Sequence, residues 1–156
     1  MLANLLPQHI LQQRRAAPSA PPTNDQMIER IAALLPLGLT PCLVYAGKRK
    51  TCEQIAEALV HLLPPLSPHE RLRLQNIVAE TDSDLHVLNL CDSDLTAILF
   101  SHGIVYHHSG LMPPVRLLIE RLIKQGALQY CVATMGLSLG INFAVKSTVI
   151  SDYVRP

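Results

Sequence analysis

Residues Pro41 to Ala46, PCLVYA, form an unbroken apolar run closed by Gly47. A run this short, with no polar residue alternating through it, suits a strand buried on both faces. Such a strand belongs to a parallel sheet covered by helices. The chain continues accordingly. Cys52, Ile55, Ala56, Leu59 and Leu63 share one helical stripe, with Glu53 and Glu57 turned outward, until Pro64 and Pro65 end the helix. Strand, basic turn and helix make one unit.

The alternation extends in both directions. Met27, Ile28, Ile31, Leu34 and Leu35 recur at helical spacing, with Asn24 or Asp25 as N-cap and Pro36 as a stop. Ser67, Pro68, His69 and Glu70 have the pattern of a capping box with proline at the first helical position, which predicts a helix from Pro68 to about Glu80. Thr81 to Phe100 carries Asp82, Asp84, Asp92 and Asp94 among leucines and predicts one or two short helices. Gly103 to Tyr106 is a second strand. Pro113 and Pro114 then open a helix with the apolar face Val115, Leu118, Ile119 and Leu122, closed by Gly126 as a left-handed residue. Strands Leu128 to Val132 and Ser147 to Ser151 follow. The expected fold is α/β, a mostly parallel sheet flanked by helices, in one domain over residues 25–156. Residues 1–24, ending in RRAAPSAPPTN, read as a flexible N-terminal segment and linker.

Composition adds limits. With 49% hydrophobic residues among 156, the chain has apolar side chains for one substantial core. A formal charge of +1 gives no overall bias toward nucleic acid or anionic membrane, so any basic surface is local. Cys42, Cys52, Cys91 and Cys131 contain no C-x-x-C pair and read as reduced thiols of a cytoplasmic protein. Met1 to Gln13 is neither a signal core nor a membrane span, so no membrane partner is expected.

In a parallel sheet, ligands bind at the carboxyl ends of the strands. Three loops leave those ends: Gly47 to Thr51, His107 to Met112, and Thr134 to Phe143. The first, GKRKT, follows a strand but lacks the earlier glycine and the hydroxyl of a P-loop, and no strand ends in paired carboxylates for a metal. The chain is therefore not a complete ATPase. Lys48, Arg49 and Lys50 suit two or three backbone phosphates, although such charge runs are also ordinary solvated surface.

His107 and His108, with His102 nearby, have no cysteine or carboxylate at ligand spacing, and adjacent histidines on a strand point to opposite sides, so no metal site is expected. Instead Ser109 and the amide of Gly110 suit a phosphate, with one histidine packed beneath the loop. The two Asp-Ser-Asp triplets lack the glycine and closing glutamate of calcium loops and read as helix caps and surface. Cys131, in the run LQYCV, reads as core rather than as a catalytic thiol. In Ala133 to Phe143, ATMGLSLGINF, a strand ends in small residues, a hydroxyl and two glycines, which exposes backbone amides to an anion.

Taken in order, Cys42 to Leu59, Gly103 to Leu111 and Ala133 to Phe143 resemble motifs IV, IVa and V of the superfamily 2 nucleic-acid helicases. HHSGL and ATMGLSLGINF are most similar to the Ski-like and related bacterial branches. Ala144 departs from the proline that many relatives carry. The resemblance covers roughly Pro41 to Asp152 and implies a RecA-like, three-layer domain, the second of the two that clamp ATP between them and bind a single strand across both. The first such domain would then be a partner, holding most of the ATP and Mg2+.

The resemblance also implies that Ser109, Gly110 and Thr134 contact nucleic-acid phosphates, with Arg116, Lys48, Arg49 and Lys50 as further contacts. Gly140 and Asn142 would face the ATP cleft. No catalytic residue is assigned within the chain, which ends before the arginine-rich motif VI and is expected to be inactive alone. Phosphate-reading loops of this kind serve DNA and RNA alike. The alternative is a RecA-like module kept for protein interaction, or an inactive truncated remnant.

Overall fold

The computed structural model describes residues 24–34, 37–82, 86–134, 145 and 147–150. Within them the order is α1 (Asn24–Leu34), β1 (Cys42–Tyr45), α2 (Arg49–Leu62), α3 (Pro68–Thr81), a 3-10 turn at Leu88–Leu90, α4 (Ser93–His102), β2 (Ile104–His107), α5 (Pro113–Lys124), β3 (Tyr130–Ala133) and β4 (Ser147–Ile150). Of the linker expected over residues 1–24, residues 1–23 lie outside the described residues, and Asn24 instead opens α1.

The strands stand in the order β2-β3-β1-β4, and every neighbouring pair is parallel. All residues of β1, β2 and β3 are buried. Because successive side chains point to opposite faces, both faces of these strands are covered, as the unbroken apolar run of β1 requires. From β1 the chain passes over β3 to β2, returns one place to β3, then passes β1 to reach β4. The first crossing and the later ones run in opposite directions, so right-handed connections lay α2 and α5 on opposite faces. The two histidines at the end of β2 reach these two helices separately, His107 toward Glu120 of α5 and His108 toward Glu53 of α2. This is the three-layer α/β arrangement of a RecA-like domain.

Its centre is apolar. Val44, Ile55, Leu59, Ile104, Val105, Leu122 and Val132 are closed to solvent, and each such side chain stabilises the fold by about 1.5–3 kcal/mol through burial. The four cysteines are free; Cys42, Cys52 and Cys131 belong to the same core. Helix α3 opens as its sequence predicts. Ser67 Oγ accepts from Glu70 N, and Glu70 Oε1 accepts from Ser67 N, each at 3.1 Å. Gly126 takes the expected left-handed conformation with φ 66° just beyond α5. Of the aspartates expected as caps and surface, Asp82 ends α3 and is buried, its carboxylate accepting from Leu88 N at 2.8 Å ahead of the 3-10 turn. Asp92 holds the N-cap position of α4 without a side-chain capping bond.

Several boundaries depart from expectation. Strand β2 takes in His107 because its ladder with β3 runs one pair further, to His107 and Ala133. Strand β3 begins at Tyr130 rather than Leu128, since Gly103 O receives the amides of both Gln129 and Tyr130 ahead of the regular ladder. Of the expected basic turn, Gly47 and Lys48 alone form the turn; Arg49, Lys50 and Thr51 belong to the first turn of α2.

Candidate nucleic-acid interface

The ends of β2, β3 and β1 adjoin because those strands are neighbours. β1 and β3 send the chain away in opposite directions, so their ends form the switch point at which parallel sheets take ligands. Ala46 N donates to Ala133 O at 2.8 Å and Thr134 N to His107 O at 3.1 Å, which ties the three strand ends together up to the loops.

Helix α2 starts here without help. Lys48 at its N-cap makes no side-chain capping bond, and the first turn holds no acid. Lys48, Arg49 and Lys50 are all exposed. The first amides of a helix lack intrahelical acceptors, and cations at that end oppose the helix dipole. An anion placed there would satisfy the amides and offset the cations.

Arg49 also reaches the neighbouring loop. Its Nη2 donates to Ser109 Oγ at 2.7 Å, joining positions 60 residues apart. Beneath that contact lies His108, its ring stacked on Tyr106 with centroids 5.7 Å apart and planes 9° from parallel. The Gly110 amide, expected from the sequence to meet a phosphate, here donates to His108 Nδ1 at 3.0 Å. The histidine expected beneath the loop is thus His108. His107 lies on the other face, with Nε2 3.4 Å from Glu120 Oε2.

Burial pushes both imidazoles below the ordinary histidine value, Glu120 and Glu53 acting in the opposite direction on His107 and His108 respectively. Both rings are therefore neutral at neutral pH. Arg116, half-buried in the first turn of α5, has its Nε closed off from solvent without a hydrogen-bond partner and adds to the depression at His107. Thr134 is half-buried at the end of β3. Gly140 and Asn142, expected at an ATP cleft, lie outside the described residues, as does the rest of ATMGLSLGINF beyond Thr134.

The structure thus joins Arg49, Ser109 and Gly110 in one cluster, with Thr134 tied to the same strand ends and Lys48 and Lys50 beside Arg49 on the β1–α2 connection. Sequence reasoning assigned no role to Glu53 or Tyr106. Their only signals were an outward position on a helical stripe and a place in an apolar strand, neither of which reveals a histidine neighbour.

The chemistry offered is anion binding: a guanidinium, ammonium groups, a hydroxyl and helix amides. The buried Cys131 thiol is pushed far up by burial and Cys52 up to about 12, chiefly by burial, so neither is a thiolate nucleophile at neutral pH. Among the described residues, no three His, Cys, Asp or Glu side chains gather where they would hold a metal ion. No helix among them is long and apolar enough to cross a membrane.

No family profile matches the chain. Curated proteins do. It is 27% identical over 143 residues to the probable helicase HelY of Mycobacterium tuberculosis, a match covering 86% of this chain and 15% of that protein. It is 29% identical over 119 residues to the ATP-dependent DNA helicase Hel308 of Methanocella arvoryzae, covering 73% of this chain and 15% of the relative. The DExH-box ATP-dependent RNA helicase DExH10 of Arabidopsis thaliana is 26% identical over 135 residues, covering 83% and 13%. These matches support membership of the superfamily 2 helicases. The chain spans no more than 15% of the length of these relatives.

Proposed function

We propose that this chain is the second RecA-like domain of an ATP-dependent nucleic-acid helicase or translocase, supplying phosphate contacts to a single strand and half of an ATP cleft. The observation that carries the reading is the Arg49–Ser109 hydrogen bond at the carboxyl end of the sheet. It brings the basic start of α2 and the Ser109-Gly110 turn, two separate candidates for phosphate contact, onto one surface. Similarity to helicases over most of the chain supports reading that surface as a nucleic-acid contact.

In this reading Ser109, Thr134, Arg49, Lys48 and Lys50 grip backbone phosphates, Gly110, whose amide is held by His108 Nδ1, shapes the turn that presents Ser109, and Arg116 in the first turn of α5 is a further contact. Gly140 and Asn142 meet the ATP held mainly, with its Mg2+, by the first RecA-like domain. ATP draws the two domains together and hydrolysis releases them, so the grip alternates and the protein moves along the strand. Backbone contacts of this kind give little sequence preference and strong salt dependence.

A single-stranded oligonucleotide titrated at several salt concentrations tests the reading. Two or three phosphates neutralised by the α2 cations predict a slope of log affinity against log salt of roughly −1.4 to −2.1. Ser109→Ala combined with Thr134→Ala weakens binding several-fold, and the chain alone turns over no ATP. Undiminished affinity in the double variant, or ATP turnover by the isolated chain, would remove the reading.

A further inference from the structure

We infer that His108 is a positioning residue for the proposed phosphate-contact turn, and that it holds the turn in place only as a neutral imidazole with Nδ1 unprotonated. Three contacts carry this. The ring is fixed from below by its stack on Tyr106. Nδ1 accepts the Gly110 amide at 3.0 Å, and the His108 carbonyl accepts Leu111 N at 3.1 Å, so one residue closes the turn by both ring and backbone. A Cβ added at Gly110 would meet His108 Cε1 and Nδ1 at 3.0 Å, so the glycine lies directly against the ring. Ser109 sits between, and its hydroxyl is thereby presented to Arg49.

The direction of the Gly110 bond fixes the proton. An imidazole nitrogen that accepts carries no hydrogen, so in the neutral ring the hydrogen is on Nε2. That nitrogen is buried without a hydrogen-bond partner, with Glu53 Oε2 3.8 Å away. A second proton on the ring must go to Nδ1, where it meets the Gly110 N–H head-on. Two donors cannot share the contact, so the turn opens, the Gly110 amide is released and Ser109 loses its orientation toward Arg49.

The groups around the ring are Glu53 and Arg49 of α2, Asp92 ahead of α4, Tyr106 of β2 and the Gly110 amide. Burial and Arg49 disfavour the second proton, while Glu53 and Asp92 favour it. The turn is therefore set at neutral pH and released on acidification below the ordinary histidine value.

The importance of this turn for affinity rests on the proposed nucleic-acid reading; the closure of the turn by His108 does not. Both are tested on the full chain with His108→Asn, whose amide oxygen takes the place of Nδ1 without titrating, and His108→Phe, which keeps the stack but has no acceptor. The Ser109 and Gly110 amides are followed by nitrogen-edited NMR from about pH 8 to about pH 5, bracketing the ordinary histidine value near 6.5. In the wild type both amides move in one step below about pH 6.5; in His108→Asn the step disappears and the Gly110 amide stays protected; in His108→Phe it is unprotected throughout.

Single-strand affinity is measured on the same samples. His108→Phe weakens it roughly fivefold, the size of one lost hydrogen bond, and His108→Asn restores it and removes the part of its pH dependence that follows the amide step. A Gly110 amide indifferent to pH in the wild type, or equal protection in the Asn and Phe variants, overturns the inference whatever the binding result. Titrating amides in a protein that binds no single strand at any pH instead overturn the nucleic-acid reading and leave His108 as the residue that closes the turn.

Discussion

Two successive helices of this domain begin in opposite ways. Helix α3 starts with a complete capping box, Pro68 inside it and Glu70 in its first turn, so its start supplies acceptors and a favourable charge for the helix dipole. Helix α2 starts with Lys48, Arg49 and Lys50, no capping side chain and no acid. Residues that stabilise a helix start are thus present in this chain and were placed at one start but not at the other. The difference teaches where to look for function: α3 begins as a structural element does, whereas α2 begins at the carboxyl end of β1 with its amides and cations available to something outside the fold.

The largest effect that would sharpen this contrast is on binding. Replacing Lys48, Arg49 and Lys50 together by alanine is expected to weaken single-strand binding by roughly tenfold or more at physiological salt and to flatten its salt dependence. The same variant is expected to melt no lower than the wild type, since cations leave the positive end of a helix. A fall in melting temperature with binding intact would break the contrast, making the basic run a structural element after all.

The reciprocal change is Ser67→Ala. Removing this cap is expected to cost about 1 kcal/mol in denaturant unfolding and to leave single-strand affinity unchanged. An affinity loss comparable to that of the basic variant would place α3 in the interface and erase the distinction.

The smallest effects separate the two starts by pH. His107 and His108 have values below the ordinary histidine value of 6.5 in the folded chain, so the unfolded chain binds more protons once pH falls below about 6.5. Stability is therefore full above that pH and declines as pH falls through their lowered values. Glu70 is lowered from its ordinary value of 4.5 by the Ser67 amide and hydroxyl, so its contribution is present above about 4.5 and is lost as pH falls through its folded value. Thermal melts across this range are expected to show a first decline that His108→Asn reduces and a second, more acidic one that Ser67→Ala reduces.

Much of this was legible in the residues. The PCLVYA run and the stripe of Cys52, Ile55 and Leu59 specify a doubly covered strand and its helix because burial patterns follow the local periods of backbone geometry. The Ser67 capping box and the left-handed Gly126 are contacts between near neighbours, which is why sequence spacing predicts them. Element ends were less legible. His107 joins β2 because Ala133 lies opposite it, and a ladder stops where its partner stops. Arg49 joins α2 although Thr51, the residue of GKRKT best suited to an N-cap, comes two positions later and lies inside the helix.

The elements, the α/β class and the residue types available for holding an anion follow from the order of the residues alone. Those depend on short-range periodicity, capping chemistry and charge. Packing of the sheet and helices is what makes Arg49 meet Ser109, puts His108 rather than His107 under Gly110, and sets Glu120 and Glu53 against the two histidines. The strand order β2-β3-β1-β4 brings together the loop ends that sequence separates, and the pleat sends adjacent histidines to opposite faces. Long-range pairing of this kind is set by which strands adjoin, a property of the packed sheet that no local stretch of the chain contains.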